Sequence, residues 1–137
     1  MITMKHIKAE NEKKADELVK FIDPNIKFIG RRPFVVAVWK TADLFETKHP
    51  DDINFTKDVY PAVAAELHKS LGTAERAIYR GADHCWKKGS SECLHRIIGK
   101  QPVKPKPSEI LLYCAYYMIY GIPYRDASKE PSLPLPF

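Results

Sequence analysis

The sequence predicts an all-α fold, a compact domain of about six helices that contains a helix-turn-helix. Apolar residues recur at intervals of three and four through most of the 137 residues, which is the spacing of amphipathic helices. Prolines and glycines mark the ends of several of these segments, and little or no strand is left between them. A hydrophobic fraction of 45% beside 28% charged residues is typical of a soluble globular protein of one domain.

The first helix is predicted over residues 4–22, where Ala15, Leu18, Val19 and Ile22 form an apolar stripe on a charged background. Asp23-Pro24-Asn25 ends it, because the residue before a proline avoids the helical conformation. We expect residues 26–30 to form a short connector.

Pro33 is expected in the first turn of a second helix that runs to about Lys48. Its apolar residues repeat at intervals of three and four: Phe34, Val35, Val38, Ala42 and Phe45. Val35-Val36 is also compatible with a strand, but the later spacing favours a helix.

A turn at residues 49–52 follows, and Asp52 is expected to cap a short helix that extends to about Val59. Pro61 restarts the chain as a further helix with Val63, Ala64 and Leu67 directed inward. Residues 69–72 interrupt the pattern, and a long helix then runs to Lys88 and stops at Gly89.

Two helices complete the predicted fold. Residues 91–98 form a short helix closed by Gly99, and residues 100–107 form an extended basic loop because three prolines exclude a helix. Ser108 is expected to cap the last helix, which runs to about Tyr120 and buries Ile110, Leu111, Cys114, Tyr117 and Met118. We divide the chain into a charged helix and connector (1–32), the helix-turn-helix domain (33–120) and a proline-rich, disordered tail (121–137).

The positive charge is concentrated in one part of the chain. Residues 56–106 carry ten basic and five acidic residues, so this segment holds the whole net charge of +5. Such a concentration favours a polyanionic partner, because each neutralised phosphate releases counterions. The alternative, a solvated surface with an accidental bias, stays open on charge alone.

The helix-turn-helix is the segment that carries a function. A helix, a short turn and a second helix at residues 60–88 match that motif. At 100° per residue, the small residues of the second helix fall on one side: Ala74, Ala77, Ile78, Gly81, Ala82 and Cys85. The other side is long, basic and hydrogen-bonding, and suits the major groove of duplex DNA.

We therefore predict two classes of DNA contact. The base edges would be contacted by Glu75, Arg76, Tyr79 and Arg80. The phosphate backbone would be contacted by Ser70, Thr73, Lys87, Lys88, Lys104 and Lys106.

The same residues carry a family resemblance. Thr56-Lys57-Asp58-Val59-Tyr60-Pro61, Glu75-Arg76-Ala77-Ile78, Trp86 and Lys106-Pro107 resemble the C-terminal DNA-binding domain of the stage-zero sporulation protein A response regulators. The resemblance implies a six-helix fold whose recognition helix reads a short operator box, with domains arranged in tandem on repeated boxes. Glu75 and Arg76 match the family's recognition pair, whereas Tyr79 and Arg80 stand where the family usually has arginine and histidine.

Further partners follow from the same resemblance. It implies a surface near Cys93 to Arg96 for the RNA polymerase sigma subunit, and a homodimer or tandem dimer on DNA. The phosphorylatable receiver of such regulators needs about 120 residues, so we expect none before Pro33.

Other classes of function are disfavoured. His84, Cys85, Cys93 and His95 could suggest zinc, but neighbouring residues 84 and 85 point about 100° apart on a helix, so we expect no metal and buried thiols instead. No nucleophile–base spacing and no glycine-rich phosphate loop is present, so we expect no enzyme and no cofactor. The N-terminus lacks the apolar core of a signal peptide and the longest apolar run is too short for a bilayer, so we expect a cytoplasmic protein with no membrane contact.

The leading hypothesis is a sequence-specific DNA-binding transcriptional regulator. The alternative is a protein–protein interaction module, an adaptor or antagonist of a full-length sporulation regulator. It would use the first helix and the last, where the tyrosines are too many for one buried face: Tyr113, Tyr116, Tyr117 and Tyr120.

Overall fold

The computed structural model describes residues 4–99 and 104–124, and within these ranges it contains helices and turns but no strand. Its six α-helices are α1 (Met4–Ile22), α2 (Phe28–Leu44), α3 (Tyr60–Leu67), α4 (Leu71–Lys88), α5 (Ser91–Ile98) and α6 (Pro107–Tyr120). The predicted all-α fold is confirmed. The division of the chain at residues 33 and 121 stays a prediction.

Helix α2 is the centre of the fold. It packs against α1, α3, α4 and α6, and every residue from Pro33 to Trp39 is buried. A helix surrounded on all sides needs no polar face, which explains why Val35-Val36 also resembles a strand. Trp39, 1% exposed, therefore lies inside the core.

The predicted bounds of α2 were wrong at both ends. The helix begins at Phe28, so residues 28–30 are not a connector and Pro33 lies in the second turn. The missing N–H of Pro33 removes one helical hydrogen bond, but ion pairs to α1 hold this part of the helix: Arg31 Nε lies 2.8 Å from Asp16 Oδ1, and Arg32 Nη1 lies 2.5 Å from Glu12 Oε1. The helix ends at Leu44. After it the backbone N–H groups of Phe45 and Thr47 donate to oxygens three residues back, as in turns, and Lys48 Nζ forms an ion pair with Asp58 Oδ2 at 3.0 Å.

Two predicted caps were also misplaced. A 3₁₀ turn spans Pro50–Asp52 and a π-helical turn spans Phe55–Val59, and Asn54 rather than Asp52 caps the latter, since its side chain accepts from Lys57 N at 3.2 Å. Helix α6 begins at Pro107, ahead of Ser108. Proline suits the first helical position because its N–H has no helical partner there, and Glu109 Oε1 accepts from Lys106 N at 2.9 Å.

The last helix is covered on its aromatic side. Tyr113 and Tyr116 are buried, while Tyr117 and Met118, predicted inside, are only half-buried. Tyr116 contacts Phe45 of the segment after α2 and Tyr124, with ring centroids 6.3 Å and 4.9 Å apart. Tyr124 also hydrogen-bonds Asp51, so the tail is packed as far as this residue. Residues 100–103 of the predicted loop and 125–137 of the tail lie outside the described ranges.

The end of α1 is joined to the end of α4. Gly89 lies so close to Ile22 that an added Cβ would be 2.7 Å from Ile22 Cγ2, and Ser90 N donates to Ile22 O at 2.8 Å. Only glycine allows this approach. The first helix thereby fixes the C-terminal end of the helix that carries the predicted DNA contacts.

Candidate nucleic-acid interface

A three-residue turn connects α3 and α4. His68 adopts the left-handed conformation with φ 55°, and Lys69 N donates to Ala64 O at 3.0 Å, which ends α3. Ser70 caps α4 by accepting from Thr73 N at 3.2 Å, and its hydroxyl also lies 2.8 Å from Thr73 Oγ1. Helix α4 thus begins at Leu71, inside the segment 69–72 that was predicted to interrupt the pattern.

The inner face of α4 is the one that the helical spacing predicts. Its buried residues are Ala74, Ile78, Gly81, Ala82 and Cys85, and Ala77 is half-buried. A Cβ at Gly81 would lie 2.7 Å from Phe34 Cβ, so α4 crosses α2 in direct contact. This close packing holds the outer face of α4 rigidly in place.

The outer face carries the four residues predicted to contact bases. Arg76 and Arg80 are exposed, one helical turn apart, and Glu75 is half-buried beside them. A Cβ at Gly72 would meet only Arg76 Nη1, at 3.7 Å, so the guanidinium of Arg76 lies over the first turn of α4. In a helix-turn-helix this is the end of the second helix that reaches base edges.

Tyr79 is only partly free. Its ring is 41% exposed and packs edge-on against Tyr60 of α3, with centroids 5.9 Å apart. Burial raises the pKa of Tyr60, and the charge and hydrogen bond of Tyr79 raise it further. The side chain of Tyr79 therefore packs against α3, a contact that was not apparent from the sequence.

Two of the predicted phosphate contacts, Lys87 and Lys104, pair with one carboxylate. Lys87 Nζ lies 3.1 Å from Asp83 Oδ2, and Lys104 pairs with Asp83 Oδ1 across 21 residues of sequence. These two hydrogen bonds, that of Lys104 first, lower the pKa of Asp83. Lys106 is exposed at the start of α6, two residues further along the chain. That Asp83 holds two lysines was not predicted from the sequence.

The remaining predicted contacts are near the two ends of α4. Ser70 is exposed and Thr73 half-buried at its start, and Lys88 is exposed at its end. Cys93 is half-buried, and His95 and Arg96 are exposed on α5. At 100° per residue Arg76, Tyr79, Arg80 and Lys87 share the outer side of α4, whereas Lys88 falls near the angle of Gly81.

The residues considered for zinc are separated by their packing. Cys85 is a buried free thiol of α4, His84 Nδ1 is hydrogen-bonded to Asp23, and Cys93 and His95 lie on α5. Among the described residues, no group of three or more His, Cys, Asp and Glu is arranged to hold a metal ion. Within the same ranges no helix combines the length and the apolar character needed to cross a bilayer.

Comparison with protein families places most of the chain in a known family. The family described as "Sporulation initiation factor Spo0A C terminal" matches residues 38–118, which include α3, α4, α5, most of α6 and the C-terminal part of α2 from Val38. Comparisons with curated proteins and with solved structures give no significant match.

Proposed function

The chain belongs to the family of Spo0A C-terminal domains, and on this premise we propose that it is a sequence-specific DNA-binding transcriptional regulator whose helix α4 enters the major groove. Proteins of this family are DNA-binding effector domains, which fits neither an enzyme nor a membrane protein. The observation that carries the proposal is the exposed Arg76–Arg80 pair on a helix that a three-residue turn connects to α3.

Each group on the outer face has a proposed role. Arg76 and Arg80 donate to guanine or to phosphate, and Glu75 accepts from the N4 amino group of cytosine. Tyr79, held against Tyr60, contacts the groove with the exposed part of its side chain. Ser70, Thr73 and the lysines fix the register of the protein on the backbone without reading sequence.

A second candidate, an adaptor or antagonist that binds a protein, receives less support. Its first surface, α1, buries Ala15, Val19 and Ile22 completely against the rest of the domain. Its second, the tyrosines of α6, is largely covered by Phe45 and Tyr124. The contact with the sigma subunit near Cys93 to Arg96 and the tandem dimer stay predictions.

The test is duplex binding as a function of salt. We expect the protein to select a limited set of sequences from a random duplex pool, and log K for a selected duplex to fall linearly with log salt. The slope gives the number of phosphates contacted, at about −0.9 per phosphate. Fluorescence anisotropy with labelled duplexes measures K for selected and unselected sequences at each salt concentration.

Lys14→Gln provides the control, because Lys14 is an exposed lysine of α1 whose contact is Glu10, on the same helix. It should leave the affinity and the slope unchanged. No binding at low salt, or equal binding to every sequence in the pool, would contradict the proposal and favour the adaptor.

A further inference from the structure

A cleft opens beside α4, on the side that faces α2. It has a volume of about 520 Å³, within the range of about 300–1,000 Å³ that small-ligand sites occupy. Its floor is apolar and includes Ile26, Pro33, Leu67 and Ala77. Its polar walls consist of Arg32, Lys69, Thr73, Arg76, Arg80 and His84.

The charge of these walls is of one sign. Arg32 and Lys69 come from outside α4, while Arg76 and Arg80 come from α4 itself, and none of the described residues that line the cleft is acidic. Four permanent cations around one space repel one another, and an anion placed between them relieves this repulsion. Arginine in particular matches phosphate oxygens with two parallel hydrogen bonds.

Two carboxylates outside the cleft orient Arg32 and His84. Glu12 accepts from Arg32 Nη1 at 2.5 Å, and Asp23, 1% exposed, accepts from His84 Nδ1. One of the five N–H groups of Arg32 is used in this way, and His84 keeps its second ring nitrogen, Nε2. Both side chains are still partly exposed, at 35% for Arg32 and 45% for His84. The carboxylates therefore fix the two side chains, and Arg32 keeps further N–H donors for a ligand.

The start of α4 adds to the same field. Lys69 and Thr73 lie on either side of its first turn, where helical N–H groups carry partial positive charge. Gly72 of that turn has no side chain to cover the backbone, and Arg76 Nη1 lies beside it. The combination of a helix N-terminus with an arginine fork is typical of phosphate sites.

We propose that this cleft binds a phosphate group, carried either by the DNA backbone or by a phosphorylated small molecule, and that Arg32 of α2 grips it from the side opposite α4. The apolar floor would cover the sugar attached to that phosphate. Since Arg76 and Arg80 belong both to the cleft and to the outer face of α4, a small ligand bound here would compete with DNA.

The first arm of the test needs no DNA. Inorganic phosphate and ribose 5-phosphate are titrated into the ¹⁵N-labelled protein, with ribose as the uncharged control. We expect saturable shifts confined to the amide signals of residues 30–32 and 69–84, stronger for ribose 5-phosphate than for phosphate. Arg32→Gln should weaken this binding about tenfold, the loss of one charged hydrogen-bonding group.

Two variants separate the phosphate contact from a structural role. Glu12→Gln breaks the ion pair with Arg32 but keeps the guanidinium, so phosphate binding should persist or increase. Lys14→Gln removes the same charge as Arg32→Gln at a site remote from the cleft and should have no effect. Equal losses in Arg32→Gln and Glu12→Gln would show that Arg32 serves only to join α2 to α1, and would overturn the proposal.

The second arm rests on the proposed function and identifies the source of the phosphate. If the phosphate belongs to the DNA backbone, Arg32→Gln lowers the affinity for all duplexes about equally and makes the salt slope shallower by about one unit. If it is a small molecule, ribose 5-phosphate displaces DNA at concentrations where ribose does not. Phosphate binding without DNA binding would overturn the proposed function alone.

A second result would also overturn the cleft proposal: no probe shifts the cleft amides, and Arg32→Gln leaves DNA affinity and salt slope unchanged while Arg76→Ala weakens DNA binding. In that case α4 would bind DNA and the cleft would have no part in it.

Discussion

In the proposed function, recognition of the DNA sequence depends most on the side chain of Arg76. It is exposed at the start of α4 and lies where a groove-entering helix meets base edges. We expect Arg76→Ala to lose about 1–3 kcal/mol on a selected duplex, the value of a bidentate guanine contact, and less on unrelated duplexes. Anisotropy titrations with both duplexes measure the difference.

The folding of this variant serves as its control. An exposed side chain contributes little to the core, so the thermal midpoint of Arg76→Ala should match that of the parent chain within a few degrees. A large fall in the midpoint would mean that the arginine is structural. An equal loss of affinity for both duplexes would mean that Arg76 contacts the phosphate backbone of the DNA and not a base.

The three cysteines differ in reactivity because of their burial. Burial raises the pKa of Cys85 to about 12, with a smaller contribution from the charge of Asp23, and burial also raises the pKa of Cys114. The thiolate is the reactive form, so at about pH 8 both thiols should stay inert in the native protein. Half-buried Cys93 should react with a disulfide reagent, and all three should react after denaturation.

Cys93→Ser checks this assignment. Its native form should release no chromophore from the reagent, and its denatured form should release two equivalents. Rapid reaction of native Cys93→Ser would show that Cys85 or Cys114 is accessible.

At the scale of elements, Asp83 joins α4 to the segment that precedes α6. Because it pairs with Lys87 and Lys104, it neutralises part of the charge predicted to face DNA. We expect Asp83→Asn to raise the affinity for all duplexes and to steepen the salt dependence, since both lysines become available for phosphates. Glu10→Gln removes one charge from the pair with Lys14 on α1 and should have a much smaller effect. If Asp83→Asn and Glu10→Gln had equal effects on DNA affinity, the change would be due to the net charge of the protein and not to release of Lys87 and Lys104.

The same carboxylate gives the junction a pH dependence. The pKa of Asp83 is lowered in the folded state, by the hydrogen bond from Lys104 first and that from Lys87 second. Its contribution to stability is therefore present above the unfolded pKa near 4 and disappears as the pH falls through the lowered value. The pairing should persist throughout the neutral range.

At the scale of the molecule, α1 is part of the core although the family match begins at residue 38. Ile22 is fully buried, its side chain approaches Gly89 and its carbonyl accepts from Ser90 N. We expect Ile22→Ala to lower the free energy of unfolding by about 2–5 kcal/mol, the range for truncating a buried isoleucine. Urea unfolding followed by circular dichroism measures this loss.

Phe21→Ala is the matched control, because Phe21 is the residue next to Ile22 and is 47% exposed. It should change the free energy of unfolding by about 0.5 kcal/mol or less. Similar small values for both variants would mean that α1 is not coupled to the rest of the domain.

The sequence by itself determined the helices, most of their ends and the two faces of α4. These depend on residues within a turn or two of one another: the small residues that recur from Ala74 to Cys85 and the glycines after α4 and α5. Local spacing therefore predicted that Arg76 and Arg80 point outward, and the motif residues from Thr56 to Pro107 predicted the family.

Only the tertiary structure decided how those faces are partnered. The pairs Asp83–Lys104 and Asp23–His84 join residues 21 and 61 positions apart, and Tyr79 is turned toward Tyr60 by the angle between α3 and α4. Burial on all sides lets α2 continue through Pro33, against the local preference for a helix end. Periodicity records which face of a helix is apolar, whereas the crossing of helices determines which side chains meet, and that geometry is set by packing of the whole core.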